Sequence, residues 1–259
     1  MLLAMDIGNT NVKIGIYKGD KLDSSWRLST EITRTADEYG MTLFDLFATR
    51  NIKFDDITGV IISSVAPYLN YTVEHMCNYY MKDFKPIFVD HTTNAGIKLC
   101  YEHPEDLGAD RIVESAAAFK FYGGPVIVVD FGSATTFNVI NSEGVFMGGA
   151  IAPGIKTATE SLVNTAARLP RIELVKPESV IGTNTRNCMQ SGIVYGYAGL
   201  VRGLVEKFRE EAGIENAKVV ATGGLSNLIE TVDDTLIDIV DRALALRGLK
   251  YIYDLNNKA

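Results

Sequence analysis

Two stretches decide the fold: Leu2-Leu3-Ala4-Met5-Asp6-Ile7-Gly8-Asn9-Thr10-Asn11 and Val126-Ile127-Val128-Val129-Asp130-Phe131-Gly132-Ser133-Ala134-Thr135-Thr136. The second restates the first. Each is a short apolar run, then Asp-x-Gly with small hydroxyl or amide residues. An alternating segment follows, Val12, Ile14 and Ile16 in one copy and Phe137-Asn138-Val139-Ile140 in the other. This pattern predicts a β-hairpin with one buried carboxylate and a glycine-rich turn at its tip. Such a turn can bring backbone N–H groups, hydroxyls and a carboxylate onto a phosphate chain. Two facing copies predict a phosphate clamp. The aspartates lie about half a chain apart, so the repeat divides the protein into domains 1–118 and 119–259.

Outward from the first hairpin, Leu22, Ser24, Trp26 and Leu28 alternate as a third strand after a turn at Lys18-Gly19-Asp20. Tyr39, Leu43, Leu46 and Phe47 recur at helical spacing. Gly59–Val65 reads as a buried strand, Tyr68–Tyr80 as a helix and Pro86–Val89 as a short strand. Ala109–Phe121 is helix-prone until Gly123-Gly124-Pro125 ends it. The second half repeats the order. A turn at Asn141-Ser142-Glu143-Gly144 leads to a third strand from Val145, which Gly148–Gly154 closes before a helix. A long amphipathic helix near Asn187–Ala212 should turn Ile193, Leu200, Leu204 and Phe208 inward. Lys218–Thr222 is a strand running into Gly223-Gly224, and Asp241–Leu249 a final helix. Strands followed by alternating helix and strand predict an α/β protein, a helix-covered mixed sheet in each half.

The 259 residues, 47% hydrophobic and 22% charged, suffice for two domains with substantial cores. A net charge of −7 and scattered Lys and Arg exclude a nucleic-acid-binding stripe. The apolar runs are strand-sized, so no membrane span is expected. Asp6 interrupts the first apolar run and no basic segment precedes it, so no secretory leader is expected. Cys77, Cys100 and Cys188 are widely separated and lack a CxxC pattern, which predicts neither a disulfide framework nor a zinc site. A reducing cytoplasm is the expected home.

Asp6, Gly8, Asn9 and Thr10 form the first candidate phosphate element; taken alone they also suit an Asx-type turn. Lys13, on the following strand, is placed to reach a phosphate or to lie on a solvated face. Asp130, Gly132, Ser133, Thr135 and Thr136 form the second element. A carboxylate closing a four-residue aliphatic run is costly unless it is paired or holds a cation. Gly223-Gly224 offers a close approach for an adenosine. Leu107-Gly108-Ala109-Asp110-Arg111 opens a helix, where an acid is often only favourable dipole chemistry. With Arg111 beside it, the pair also suits an anionic substrate and an acceptor hydroxyl, Arg111 serving otherwise as a plain salt-bridge partner. Gly182-Thr183-Asn184-Thr185 precedes the long helix and suits a helix cap or a hydroxyl presented to a ligand carboxylate, spacing alone favouring the cap.

Together these residues resemble the type III pantothenate kinases of the acetate kinase/sugar kinase/heat-shock-70/actin superfamily. The resemblance rests on Asp6–Asn11, His103-Pro104-x-x-Leu107–Arg111, Asp130–Thr136, Gly148-Gly149-x-Ile151-x-Pro153-Gly154, Asn184-Thr185 and Met189–Gly192, in order along nearly the whole chain. It implies two duplicated ribonuclease H-like (actin-like ATPase) domains, each a mixed sheet flanked by helices, with a central cleft. It also implies ATP-dependent phosphorylation of pantothenate, the first step of coenzyme A synthesis. By this resemblance ATP meets Asp6, Ile7, Gly8, Asn9, Thr10, Asn11, Val12, Lys13 and Ser133, and Asp110 is the proton acceptor. Pantothenate meets Tyr101, Gly108, Ala109, Asp110, Arg111 and Thr185. Asp130 holds a monovalent cation, K+ or NH4+, and Asp6 meets Mg2+ through water. The resemblance further implies a homodimer with its substrate site at the subunit interface. Ser133 stands where the family usually has Thr, which keeps the hydroxyl and loses a methyl.

Three competitors keep part of this reading: a kinase for a sugar or acetate, an accessory regulator of transcription, and a filament or chaperone nucleotidase. A sugar site would favour acid and amide side chains over an Arg clamp. A regulator would tolerate loss of Asp110 or of one acidic turn, and all are intact. The nucleotidases carry large inserted subdomains for which this chain has no room.

Overall fold

The structure is a computed structural model that describes residues 1–81 and 84–257. The chain forms two compact units: Met1–Gly96 with Glu102–Ala117 and Leu244–Ala259, and Ile97–Tyr101 with Ala118–Ala243.

The first unit holds strands β1 (Leu2–Ile7), β2 (Asn11–Lys18), β3 (Lys21–Ser29), β4 (Gly59–Ser64) and β5 (Ile87–Phe88), in sheet order β3-β2-β1-β4-β5. β1 pairs antiparallel with β2 and parallel with β4. Alternation sorts β1 into two faces. Leu3, Met5 and Ile7 join Val12, Ile14 and Ile16 in a core with Tyr39, Leu43 and Phe47 of α1 (Ala36–Ala48) and Leu69, Val73 and Met76 of α2 (Pro67–Tyr80). Leu2, Ala4 and Asp6 therefore face the other way. α1 starts on a capping box: Thr35 Oγ1 accepts the Glu38 N–H at 3.3 Å while Glu38 Oε2 accepts the Thr35 N–H at 2.7 Å.

α3 (Ala109–Tyr122) leads from the first unit into the second, whose strands begin with the short edge strand β6 (Lys98–Leu99). The remainder are β7 (Val126–Phe131), β8 (Ala134–Ile140), β9 (Val145–Pro153), β10 (Lys218–Gly223) and β11 (Ile239–Val240), in sheet order β11-β10-β7-β8-β9-β6. Apart from β6, order and strand sense reproduce those of the first sheet, with β7 antiparallel to β8 and parallel to β10. Both sheets carry a register shift at the same point of the second-to-third ladder, at Ile16/Tyr17 and at Val139/Ile140. The duplicated frame is thus a property of the fold, not only of two motifs.

The helices of this unit are α4 (Ile155–Thr165), α5 (Thr185–Ala212) and α6 (Ser226–Glu230). α5 begins where Asn184 Oδ1 accepts the Asn187 N–H at 2.9 Å and ends at Gly213, whose φ of 63° suits only glycine without strain. Its buried apolar stripe includes Ile193, Val194, Ala198, Val201 and Val205. Leu200, Leu204 and Phe208, expected inward, are half-buried flanks of that core. The last helix, α7 (Leu244–Asn256), starts three residues later than the periodicity indicated and runs further. It packs on β1, β2 and β4 of the first unit, covering the face that carries Ala4 and Asp6.

Candidate functional site

Asp6 is the fifth residue of β1 and Asp130 the fifth of β7. Each has two cross-strand neighbours in register, Lys13 and Ser63 beside Asp6, Thr136 and Thr222 beside Asp130. The two acidic turns are therefore equivalent in register as well as in sequence.

In the first unit the tip is held rigidly. The Gly8 N–H donates to Asn11 O at 3.0 Å, and Thr30 ties the tip to the end of β3 by donating Oγ1–H to Gly8 O at 2.7 Å and N–H to Thr10 O at 3.0 Å. Asn9 and Thr10 are exposed. Ile7 and Val12 are core residues, so a ligand could meet only their backbone. Asp6 is itself buried, and its Oδ2 accepts from the Lys13 ammonium at 3.1 Å. Asp110 lies in the first turn of α3, with Oδ1 accepting the Arg111 N–H at 2.7 Å. Burial chiefly, and then the negative charge of Asp6, push the Asp110 carboxyl above the ordinary carboxylate range; Arg111 and Lys13 oppose the shift. Some of the Asp110 surface still meets solvent, but the protein atoms packed round it set its desolvation. Asp6, Lys13, Asp110 and Arg111 thus form one electrostatic group. Arg111 is a buried guanidinium and Glu114, one turn on, is buried as well.

In the second unit Asp130 is half-buried between two glycines. A Cβ on Gly132 would stand 2.9 Å from Asp130 Oδ2 and one on Gly223 2.5 Å from Oδ1, and Gly223 has a φ of 90°. Only glycine satisfies both demands at Gly223. The carboxylate therefore sits in a cradle that side chains would fill. Ser133 is exposed at the tip; its carbonyl accepts the Gly154 N–H at 3.1 Å and Thr157 Oγ1–H at 2.8 Å. Tyr101 packs edge-on to Phe146, ring centroids 5.9 Å apart, and Thr185 is the exposed first residue of α5.

Among the described residues no group of three or more His, Cys, Asp or Glu could hold a metal ion. The donors present are single carboxylates, backbone carbonyls and hydroxyls, all hard oxygen ligands. Such a set fits Mg2+ completed by phosphate and water, or a larger monovalent ion. Sequence reading passed over Ser63 and Thr222. Both are visible as small hydroxyl residues closing apolar strands, but only strand pairing brings them beside the aspartates.

Two equivalent mixed sheets, each with an acidic turn at the end of its central strand, define the actin-like and sugar-kinase ATPase fold. Solved structures of that fold superpose over nearly the full chain. MreB 5 of Spiroplasma citri bound to AMPPNP has a TM-score of 0.57 at 11% identity, covering 99% of this chain and 96% of its own. A Campylobacter jejuni protein assigned to the Baf family of transcriptional activators gives 0.61 at 22%, covering 99% and 100%. These likenesses concern the fold alone. The chain belongs to the type III pantothenate kinase family, whose family model matches residues 2–207. A type III pantothenate kinase of Brevibacillus brevis (strain 47) is 48% identical over 99% of both chains.

Proposed function

We propose that Asp110 is the general base of this chain's reaction, the ATP-dependent phosphorylation of pantothenate that opens coenzyme A synthesis. The observation that carries this assignment is the raised Asp110 carboxyl at the start of α3, beside Arg111 and within the field of Asp6. A base works best when its pKa approaches the working pH, and this environment moves Asp110 that way. Oδ1 is occupied by the Arg111 N–H, which leaves Oδ2 to receive the proton of the acceptor hydroxyl. The hydroxyl oxygen then bonds to the γ-phosphorus as the bond from phosphorus to the bridging oxygen breaks. Most of the catalysis is positioning and charge stabilisation.

In this reading Asp6, Gly8 to Lys13 and Ser133 meet ATP, with Ile7 and Val12 contributing backbone groups. Lys13 exchanges its Asp6 partner for phosphate oxygens. Asp6 meets Mg2+ through water, and Asp130 holds K+ or NH4+ in its glycine cradle. These ions supply positive charge against the triphosphate when bound. Tyr101, Gly108 to Arg111 and Thr185 meet pantothenate, with Arg111 and Thr185 at its carboxylate. The domains 1–118 and 119–259 are two copies of one frame, with the last helix of the second copy lent to the first sheet. The working unit is a homodimer in the cytoplasm; among the described residues no helix is long and apolar enough to cross a membrane.

The direct test is a coupled kinase assay with K+ and MgATP and with pantothenate, glucose or acetate as acceptor. Turnover of pantothenate alone is expected, and failure to phosphorylate it overturns the reading. Arg111→Ala should raise the KM for pantothenate far more than that for ATP. Arg111→Lys, which keeps the charge but loses the planar fork, should fall between. Equal rises in both KM values would remove Arg111 from the carboxylate.

A further inference from the structure

Ser63 and Thr222 occupy the same place in the two sheets. Ser63, on β4, is the parallel neighbour of Asp6, and Thr222, on β10, is the parallel neighbour of Asp130. In-register neighbours project to the same face, so each hydroxyl lies alongside its carboxylate. Both residues are fully buried, and neither hydroxyl has a hydrogen-bond partner. A buried hydroxyl without a partner costs stability, and native proteins keep few. The adjacent Ser64 behaves ordinarily, its Oγ accepting the Ala66 N–H at 3.2 Å. Thr135 and Ser115 also carry buried, unpartnered hydroxyls, but neither is in register with a turn aspartate. The same costly feature recurs at the same register position of a duplicated frame, each time beside the acid.

We propose that Ser63 and Thr222 are reserve hydrogen-bond donors that fix the carboxylates of Asp6 and Asp130 once nucleotide and cations arrive. This rests on the nucleotide-site reading of those aspartates. In the first unit Asp6 stands between a donor in use, Lys13, and a donor in waiting, Ser63. When Lys13 turns to the phosphate chain, Asp6 Oδ2 loses an ammonium, and the Ser63 hydroxyl makes good the loss without any movement of the backbone. Thr222 does the same for Asp130 when a cation draws on one carboxylate oxygen and the other must be held still. Both are positioning residues, acting through the aspartates.

In the ligand-free protein the two hydroxyls serve no purpose, so stability and ligand binding should respond in opposite senses to their loss. Ser63→Ala and Thr222→Val should melt at the wild-type temperature or above it without ligand. By calorimetry in K+ buffer the same variants should bind MgATP about tenfold more weakly, the scale of one hydrogen bond to a charged group. Thr222→Ser, which restores the hydroxyl, should recover binding. In an Asp6→Asn background, Ser63→Ala should add nothing further. A lower ligand-free melting temperature for both variants, or unchanged MgATP affinity, overturns the proposal. Asp6→Asn separates the two levels: if it alone weakens binding, only the hydroxyl role fails, and if it too binds normally, the nucleotide-site reading falls as well.

Discussion

Asp110→Asn is expected to cut turnover by about 10²–10⁴-fold, the range commanded by a positioned general base, while MgATP binding stays measurable. The substitution keeps the shape of the side chain and its acceptor for the Arg111 N–H, so folding should survive. Stability supplies a second, independent signature. A carboxyl raised in the folded state binds its proton more tightly there than in the unfolded chain. The stability this gives is fully present below the unfolded pKa and is lost as pH rises through the folded value. At neutral pH the ionised Asp110 is therefore a burden on the fold. Asp110→Asn should melt higher than wild type at pH 7, and the advantage should vanish below about pH 4, where the ordinary carboxyl is protonated. In wild type the acid limb of the pH profile of kcat/KM should lie above the usual carboxylate range. Near-normal turnover, or a melting temperature lowered at pH 7, would refute the role.

Asp130→Ala is expected to abolish stimulation by K+. Initial rates at saturating MgATP, compared in potassium chloride and choline chloride, measure it directly. The loss should exceed about 10–100-fold, since even outer partners of a cation's ligands command that much. The cradle gives the reason: a side chain at Gly132 or Gly223 would crowd the carboxylate oxygens, and among the described residues no cluster of three or more acids, His or Cys stands ready to take the cation instead. A variant still stimulated by K+ would place the cation elsewhere. Gly223 itself tolerates no side chain, because a methyl there would meet both Asp130 Oδ1 and the Phe131 backbone.

Much of this architecture was legible before the structure. The hairpins around Asp6 and Asp130 follow from alternation, which is local, and the Asn184 cap follows from a residue type at the start of a periodic run. Leu200, Leu204 and Phe208 were read as core because helical spacing marks a stripe but not its centre. The neighbouring Val194, Val201 and Val205 are the more deeply buried ones, although Phe208 still packs its ring against Phe137 of β8, centroids 6.2 Å apart. β6 and β11, two residues each, are too short to carry any period. α7 was visible as a helix, but its partner was not, since amphipathicity says that a face is buried and not which sheet buries it.

The sequence by itself determined that one frame occurs twice, that each copy ends a strand on an acid and a glycine turn, and that Asp110 and Arg111 open a helix together. These are short-range facts, written in spacing and residue type. Only the tertiary structure decided that Ser63 lies beside Asp6 and Thr222 beside Asp130, that α7 covers the first sheet, and that Asp110 feels the charge of Asp6. Parallel pairing joins strands far apart in the chain through long crossovers, so its register is fixed by how the helices pack on the sheet and not by any local signal.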